Sequence, residues 1–136
     1  MGHTPRVAFL SFSNFGNPDS AITQTARDAV AVLDERKVDF EYEGEMTADI
    51  ALDYELMQAR YPFSRLKGPA NILVMPGLHS ANISFKLMQQ LGGGSVIGPM
   101  ILNAEFPFQI IPMSASVSDL VNAAALAAYE SLAGHD

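Results

Sequence analysis

The stretch Val7–Phe12 (VAFLSF) runs directly into Ser13–Asp19 (SNFGNPD), and this junction indicates the fold. The first segment is nearly continuously apolar, which is typical of a parallel strand covered on both faces. The second is dense in turn residues, and Asp19 or Ser20 at its end suits the N-cap of a helix. Apolar residues then recur at helical spacing, at Ile22, Ala26, Ala29, Val30 and Leu33. The opening of the chain therefore predicts a strand, a turn and a helix.

Further strands are predicted wherever short apolar or alternating runs follow. Phe40–Glu45 alternates apolar and acidic residues, which predicts an exposed or edge strand. Ile72–Met75 is short and apolar, which predicts a buried strand. Val96–Leu102 and Phe108–Ile111 predict two more strands, with Pro99 interrupting the first.

Helices are predicted between these strands. One covers Asp53–Arg60, and another begins with Ser80 as its cap and ends at the glycines Gly92–Gly94. The last helix opens at Ser116 and runs to about Leu132. Alternation of strands and helices is typical of βαβ units. We therefore expect a three-layer α/β fold, with a mostly parallel sheet and helices on both faces.

Length and composition limit the classes of function. The 136 residues fit one domain, which we place at residues 5–133. The net charge is −7, and no Lys or Arg follows Lys86, so binding to nucleic acid is not expected. The chain has no cysteine, which excludes disulfides and zinc–thiolate sites. No apolar run is long enough to span a membrane, and we expect a soluble, cytoplasmic protein.

Three hydroxyl-rich loops are candidates for a ligand site, namely Ser13–Ser20, Pro76–Ser80 and Pro112–Ser116. Each precedes a predicted helix, and the N–H groups at a helix start favour anions. The same residues also suit plain turns and caps, so both interpretations stay open. The Walker A, GxGxxG, GxSxG and HExxH motifs are all absent, and no metal site is predicted.

Individual candidates carry the same ambiguity. Asn82 and Lys86 are one helical turn apart and could jointly bind an anion, or simply be solvated. Asp119 follows Ser116 by three residues. It could serve as a general base, or as an acidic residue in the first turn that complements the helix dipole beside its capping serine.

Taken together, many segments resemble the phosphotransacetylase family, in order and in spacing, from about Pro5 to Glu130. The matching segments are Val7–Ser13, Gly44–Glu45, Leu66–Pro76, Ala81–Ile83 with Lys86, Leu91–Gly93, Ile97–Pro99, and Ser116–Val117 with Asp119. Members convert acetyl-CoA and phosphate into acetyl phosphate and CoA, in a cleft between two α/β domains, and form dimers. The resemblance implies a fold similar to that of isocitrate and isopropylmalate dehydrogenases.

The resemblance also indicates where this chain departs from active members. Family enzymes carry a Ser-Arg-Gly stretch before the last helix, whose Ser and Arg hold the phosphoryl oxygens and the developing charge. The matching positions here are Pro112, Met113 and Ser114. The aspartate that serves those enzymes as the base for the thiol is retained as Asp119. The candidate ligand-binding residues are Ser11, Ser13, Asn14, Asn82, Lys86, Ser114 and Ser116.

The segments Pro112–Val117 (PMSASV) and Ser11–Gly16 (SFSNFG) are most similar to one branch, the C-terminal domains of large bacterial NADP-dependent malic enzymes. This implies a degenerate transferase site, oligomerisation and regulation by acetyl-CoA or CoA. NADP, a divalent metal and the decarboxylation of malate to pyruvate would belong to the parent's other domains. One alternative is an active acyltransferase segment, with Asp119 as the base and Asn82 and Lys86 on the phosphate. Another is a pure dimerisation module.

Overall fold

The protein is described from a computed structural model, which covers residues 3–93, 96–101 and 104–133. The chain divides into two compact units, Met1–Phe85 and Lys86–Asp136. The first unit contains a three-stranded parallel sheet, and the last helix of the chain lies in the second unit.

The first unit follows the predicted alternation of strands and helices. Its elements are β1 (Arg6–Leu10), α1 (Ala21–Arg36), β2 (Glu41–Met46), α2 (Ala48–Leu52), α3 (Tyr54–Arg60) and β3 (Ile72–Val74). All pairing is parallel and the strand order is β2-β1-β3, so the α/β prediction is confirmed. Ser20 caps α1 by accepting a hydrogen bond from the N–H of Ile22 at 3.2 Å.

β1 is the central strand, and its side chains are buried on both faces as predicted. Ala8 and Leu10 belong to the main core, which also includes Met46, Ile50 and Met57. Helix α1 packs against β1 and β2 and buries Val30. The central strand is thus enclosed by helices that the sequence places before and after β2.

β2 is an edge strand, as predicted, but its acidic residues are not exposed. Glu43 and Glu45 are both buried. The register pairs Phe9 with Gly44 and Leu10 with Met46, so Glu45 is an extra residue in a bulge. The alternating pattern suggested exposure because it could not show that an arginine reaches each carboxylate from elsewhere in the chain.

β3 forms where a strand was predicted, but the prediction that it is buried is wrong. Ile72 and Val74 are 44% and 38% exposed. β3 is the edge strand on the other side of β1 and pairs with β1 alone among the described strands. A continuous apolar run therefore does not distinguish a covered strand from one with an open edge.

The next helix, α4, comprises Leu78–Leu91 and begins before the predicted cap. Ser80 lies in its first turn, where its hydroxyl donates to the Gly77 carbonyl at 2.8 Å. The prediction that Ser80 is the N-cap is therefore wrong, and its hydroxyl instead bonds back to the backbone. The helix ends at the glycines as predicted, with the Gly92 N–H donating to the Met88 carbonyl.

In the second unit, α5 comprises Val117–Ala133 and agrees with the predicted last helix. The two predicted strands are wrong over the described residues 96–101 and 108–111, where no strand is present. Pro99 and Pro112 have no N–H to donate to a ladder, which disfavours strand pairing there. Leu102, at the end of the first predicted strand, lies outside the described residues.

Candidate functional site

The carboxyl ends of β1 and β3 lie side by side, because these strands are parallel neighbours. From β1 the chain passes through α1 to β2, whereas β3 lies on the opposite side of β1. The strand order therefore reverses between β1 and β3, and open parallel sheets bind ligands at such switch points. Two predicted ligand loops, Ser13–Ser20 and Pro76–Ser80, follow these two strands and lie at this edge.

A cavity of about 270 Å³ opens at the switch point. Its walls come from the ends of β1 and β3 and from the first half of α1, including Phe9, Ala26 and Val74. Ser11, a predicted site residue, and Thr25 add hydroxyl groups to the lining. Within the part of the chain that the structure describes, no Lys or Arg lines this cavity, so its composition suits an uncharged, largely apolar segment of a ligand.

The loop after β1 contains a tight turn at Asn14–Asn17. The N–H of each of these two asparagines donates to the carbonyl of the other at 3.0 Å. The central residues, Phe15 and Gly16, both have positive φ, at 50° and 83°, as in a type I′ turn. Phe15 is not a residue that favours this conformation, but its ring packs on Tyr61 at 5.1 Å and on Phe63 at 4.9 Å.

Glu45, near the end of β2, holds this loop by hydrogen bonds. Its carboxylate Oε1 accepts hydrogen bonds from the Ser13 hydroxyl at 2.5 Å and from the Gly16 N–H at 3.0 Å. Its carbonyl accepts from the Phe15 N–H at 2.8 Å. Both Glu45 and Ser13 are fully buried. The bulge in β2 therefore directs an acidic side chain into the base of the predicted ligand loop.

Arg27 supplies the charge that balances Glu45. Its Nη1 donates to Glu45 Oε1 at 3.0 Å and to Thr23 Oγ1 at 2.9 Å. Its Nη2 forms an ion pair with Asp19 at 2.9 Å and donates to Gln24 Oε1 at 2.8 Å. One guanidinium thus links the loop, the start of α1 and the end of β2.

Neither Glu45 nor Arg27 was predicted as a site residue. One signal for Arg27 was present in the sequence, since it lies three residues before Val30 on the predicted apolar face of the helix. In the structure, Val30 and also Thr23, four residues before Arg27, are buried. The burial of Glu45 could not be predicted from the alternating acidic residues of β2, because an unbroken strand would have turned alternate side chains to solvent. Only the bulge changes its direction.

The other predicted residues of the first loop are also occupied by contacts within the chain. Asn14 Oδ1 accepts from the N–H of Thr47 at 2.8 Å and from its hydroxyl at 3.1 Å.

On α4, Asn82 and Lys86 are exposed one turn apart, and Lys86 Nζ donates to Gln89 Oε1 at 3.4 Å. Whether these residues contact a ligand remains a prediction.

The second unit has its own cavity, of about 100 Å³, beside the start of α5. Asp119 lines it together with the carboxamides of Gln89, Gln109 and Asn122. No Lys or Arg is among the described residues that line it. Ser114 lies in the exposed turn before α5, next to Met113, whose side chain is fully exposed.

Asp119 and Ser116 form a reciprocal cap at the start of α5. Asp119 Oδ2 accepts from the Ser116 N–H at 2.9 Å and from its hydroxyl at 2.8 Å. The Asp119 N–H donates back to Ser116 Oγ at 3.2 Å. Hydrogen bonds from the Ser116 N–H and then from its hydroxyl lower the pKa of Asp119. A carboxylate with a lowered pKa is a weaker proton acceptor, which disfavours a role as general base.

Replacing Ser116 with alanine is expected to raise the pKa of Asp119 toward its ordinary value of about 3.9. The hydroxyl donor is lost, and the backbone N–H alone remains. Because folding lowers this pKa, the cap contributes stability above about pH 4 that disappears as the pH falls through the folded pKa. Carboxyl NMR titration measures the shift. Ser118→Ala, in the same turn, is the control, and an unchanged Asp119 pKa in Ser116→Ala would contradict the assignment.

Among the described residues, no group of three or more His, Asp or Glu side chains could hold a metal ion. Within the same residues, no helix is both long enough and apolar enough to cross a membrane.

Comparison with known proteins identifies the family. The sequence model of the phosphate acetyl/butaryl transferase family matches residues 1–128. The chain belongs to this family. The resemblance drawn from the sequence segments is thereby confirmed.

Within the family, malic enzymes are strongly similar to this chain. An NADP-dependent malic enzyme of Rhizobium meliloti is 54% identical over 95% of the chain, which spans 17% of that protein. The NADP-dependent malic enzyme of Escherichia coli is 40% identical over 96% of the chain. A phosphate acetyltransferase of Treponema pallidum is 37% identical, and the chain spans 40% of its length. The chain therefore spans well under half the length of these relatives.

Solved structures agree with this assignment. The EutD phosphotransacetylase from Staphylococcus aureus matches 93% of the chain with a TM-score of 0.79 and 32% identity. A phosphotransacetylase from Streptococcus pyogenes matches 96% with a TM-score of 0.86 and 29% identity. The chain covers 41% and 40% of these two structures.

Proposed function

We propose that this chain is the C-terminal phosphotransacetylase-like domain of an NADP-dependent malic enzyme, and that it has no transferase activity of its own. The identity to malic enzymes, up to 54%, against 37% for a phosphate acetyltransferase, supports this parentage. Malate decarboxylation, NADP and the divalent metal would then belong to other parts of the parent protein.

The observation that carries the proposal is the surroundings of Asp119. Asp119, which the resemblance matches with the family's base, is engaged as a helix cap, and no cation is among the described residues that line the cavity beside it. The family's Ser-Arg pair is replaced here by Pro112 and Met113, neither of which has a side-chain hydrogen-bond donor. Loss of one donor to a developing oxyanion costs about 100- to 1000-fold in rate. These features support a degenerate transferase site.

The first unit is compatible with a role in binding acetyl-CoA. The switch-point cavity has apolar walls and hydroxyl groups, which suit the pantetheine arm or acyl group of acetyl-CoA. Binding there would make the domain a regulator that reports acyl-CoA levels to the parent enzyme. The ligand's phosphates would lie outside this cavity, because its described lining includes no Lys or Arg.

The exposed face of α5 supports the oligomerisation part of the proposal. Val117, Val121 and Leu132 are largely exposed, and Ala124 and Ala128 continue the same stripe. The spacing of these residues follows one helix face and includes no charged side chain. An uncharged face lets two copies of a chain with net charge −7 pack together without bringing like charges into direct contact. A cytoplasmic homodimer or a higher homo-oligomer is proposed.

Calorimetric titration of acetyl-CoA into this chain and into its full-length parent tests the proposal. We expect saturable heat in both and a change in malate oxidation by the parent, with sedimentation velocity on the same samples reporting the oligomer. Absence of heat, together with unchanged malate oxidation, would refute the regulatory role. Dephosphorylated acetyl-CoA analogues distinguish binding of the acyl-pantetheine arm from simple anion binding.

The second candidate is an active phosphate acetyltransferase segment, favoured by the position of Asp119 in a cavity with three carboxamides. Arsenolysis of acetyl phosphate in the presence of CoA separates the two functions. Turnover by the chain that is lost in Asp119→Asn would establish the transferase and overturn our proposal. No turnover above the uncatalysed rate is the expected result.

A further inference from the structure

The buried carboxylate of Glu45 is not among the groups that line the switch-point cavity. Nevertheless, Ser13 and Gly16 donate to its carboxylate, and Phe15 donates to its carbonyl. Asn14 is the remaining residue of this segment, and its Oδ1 accepts a hydrogen bond from the N–H of Thr47, which lies two residues after Glu45. The whole segment Ser13–Gly16 is thus fixed by the end of β2 and by Thr47, the residue that follows it.

This segment needs such support, because its conformation is unfavourable in isolation. Phe15 has a φ of 50°, in the left-handed region that non-glycine residues avoid. Such a residue persists only when its surroundings over-determine it. The aromatic contacts hold the Phe15 ring, and Glu45 fixes the backbone N–H groups of Phe15 and Gly16.

We propose that Glu45 is a positioning residue, whose buried carboxylate sets the conformation of Ser13–Gly16 and thereby the affinity of the switch-point cavity for acyl-CoA. The effect of Glu45 on affinity rests on the function proposed above, whereas its effect on the loop conformation does not. Ser11 and Phe12, which line the cavity, directly precede the fixed segment. A displaced segment would therefore move the cavity wall.

A carboxylate is specifically required at this position. Ser13, Gly16 and Arg27 all direct donors at Glu45 Oε1, and Arg27 Nη1 also reaches Oε2 at 3.3 Å. Glutamine has nearly the same shape, but only one oxygen and two additional N–H donors. Its NH₂ group would either face the guanidinium or replace the acceptor used by the loop.

Glu43 provides a matched control in the same strand. It is buried and paired with Arg65, which donates from Nη2 to Oε1 at 3.2 Å and from its backbone N–H to Oε2 at 2.9 Å. It makes no hydrogen bond to Ser13–Gly16 among the contacts of the described residues. Glu43→Gln therefore also removes a buried carboxylate that is paired with an arginine, but leaves the loop's supports in place.

The experiment compares amide hydrogen exchange in Glu45→Gln and Glu43→Gln with that of the unaltered chain. The readout is the exchange rate of Gly16 divided by that of Ala8 in the central strand, which corrects for global stability. We expect this ratio to rise on the order of 10-fold in Glu45→Gln, since a hydrogen bond to a charged acceptor is lost. In Glu43→Gln it should stay within about 2-fold. Glu45→Asp, with a shorter side chain, should shift the ratio in the same direction if Glu45→Gln does not fold.

Acetyl-CoA titration of the same variants completes the test. We expect affinity to weaken about 10-fold in Glu45→Gln and to change less than about 2-fold in Glu43→Gln. An unchanged exchange ratio in Glu45→Gln and Glu45→Asp would overturn the positioning role. A raised ratio with unchanged affinity would overturn the coupling to the ligand. If even the unaltered chain binds no acetyl-CoA, the proposed function fails, and the exchange ratio still decides the role of Glu45 in the loop.

Discussion

Replacing Arg27 with methionine is expected to lower the free energy of unfolding of the first unit by about 3 to 5 kcal/mol. Glu45 is fully buried, and its carboxylate forms an ion pair with Arg27, whose side chain is itself only 24% exposed. Methionine occupies a similar volume but leaves the carboxylate in the interior without its charge partner. Removing one member of a buried pair costs more than the pair itself contributes, because the remaining charge is not solvated.

Urea denaturation followed by circular dichroism measures this loss. Arg27→Lys is expected to be intermediate, since an ammonium group keeps the charge but cannot reach Glu45, Thr23 and Asp19 together as the planar guanidinium does. The double variant Arg27→Met with Glu45→Gln should lose less than the sum of the two single losses, because no unpaired charge remains.

Arg65→Met is the control for removing a surface arginine. Arg65 pairs with Asp34, which is half-exposed, and with Glu43, which is buried. Because the Arg65 side chain is itself 44% exposed, water can enter the space that it leaves beside Glu43, which is not so for the more buried Arg27. Its loss should therefore destabilise the unit clearly less than that of Arg27. Equal losses in the two variants would show that burial of Glu45 does not decide the energetics.

The sequence predicted those elements whose stability is local. The apolar run of β1, the helical period of α1 and the serine before α5 each determine their structure within a few residues, and all three were confirmed. The short helix α2 was missed, since five residues carry too little periodicity to recognise. Val96–Leu102 was predicted as a strand from its apolar run, although an apolar run cannot show whether a neighbouring strand is present.

The site was less predictable because its contacts are distant in sequence. The loops after β1 and β3 could be placed at one edge, since parallel neighbours end together. The pairing of Arg27 with Glu45 joins residues 18 positions apart, and that of Arg65 with Glu43 spans 22. Both depend on how α1 and the segment before β3 pack on β2. No pattern in the acidic segment itself indicates those partners.

Gly44→Ala is expected to lower the free energy of unfolding of the first unit by about 2 to 5 kcal/mol. Gly44 precedes the bulged residue and has a φ of 151°, which side chains rarely allow. A Cβ atom here would lie 2.8 Å from both Cβ and O of Phe9. These atoms belong to the central strand, so they cannot move aside without disturbing the β1–β2 ladder. The backbone strain at this φ and the steric overlap with Phe9 therefore both destabilise the variant.

The second consequence of Gly44→Ala concerns the loop. A shift of β2 away from Phe9 would move Glu45, the next residue, and release Phe15 and Gly16. Exchange of the Gly16 amide should therefore rise along with the loss of stability. Gly77→Ala is the matched control, because no heavy atom of a described residue, apart from its own chain neighbours, lies within 4 Å of the added Cβ. Its stability should change by less than about 1 kcal/mol. If Gly44→Ala matched Gly77→Ala in urea denaturation, the close approach of β2 to β1 could not be what fixes the bulge and, with it, the orientation of Glu45.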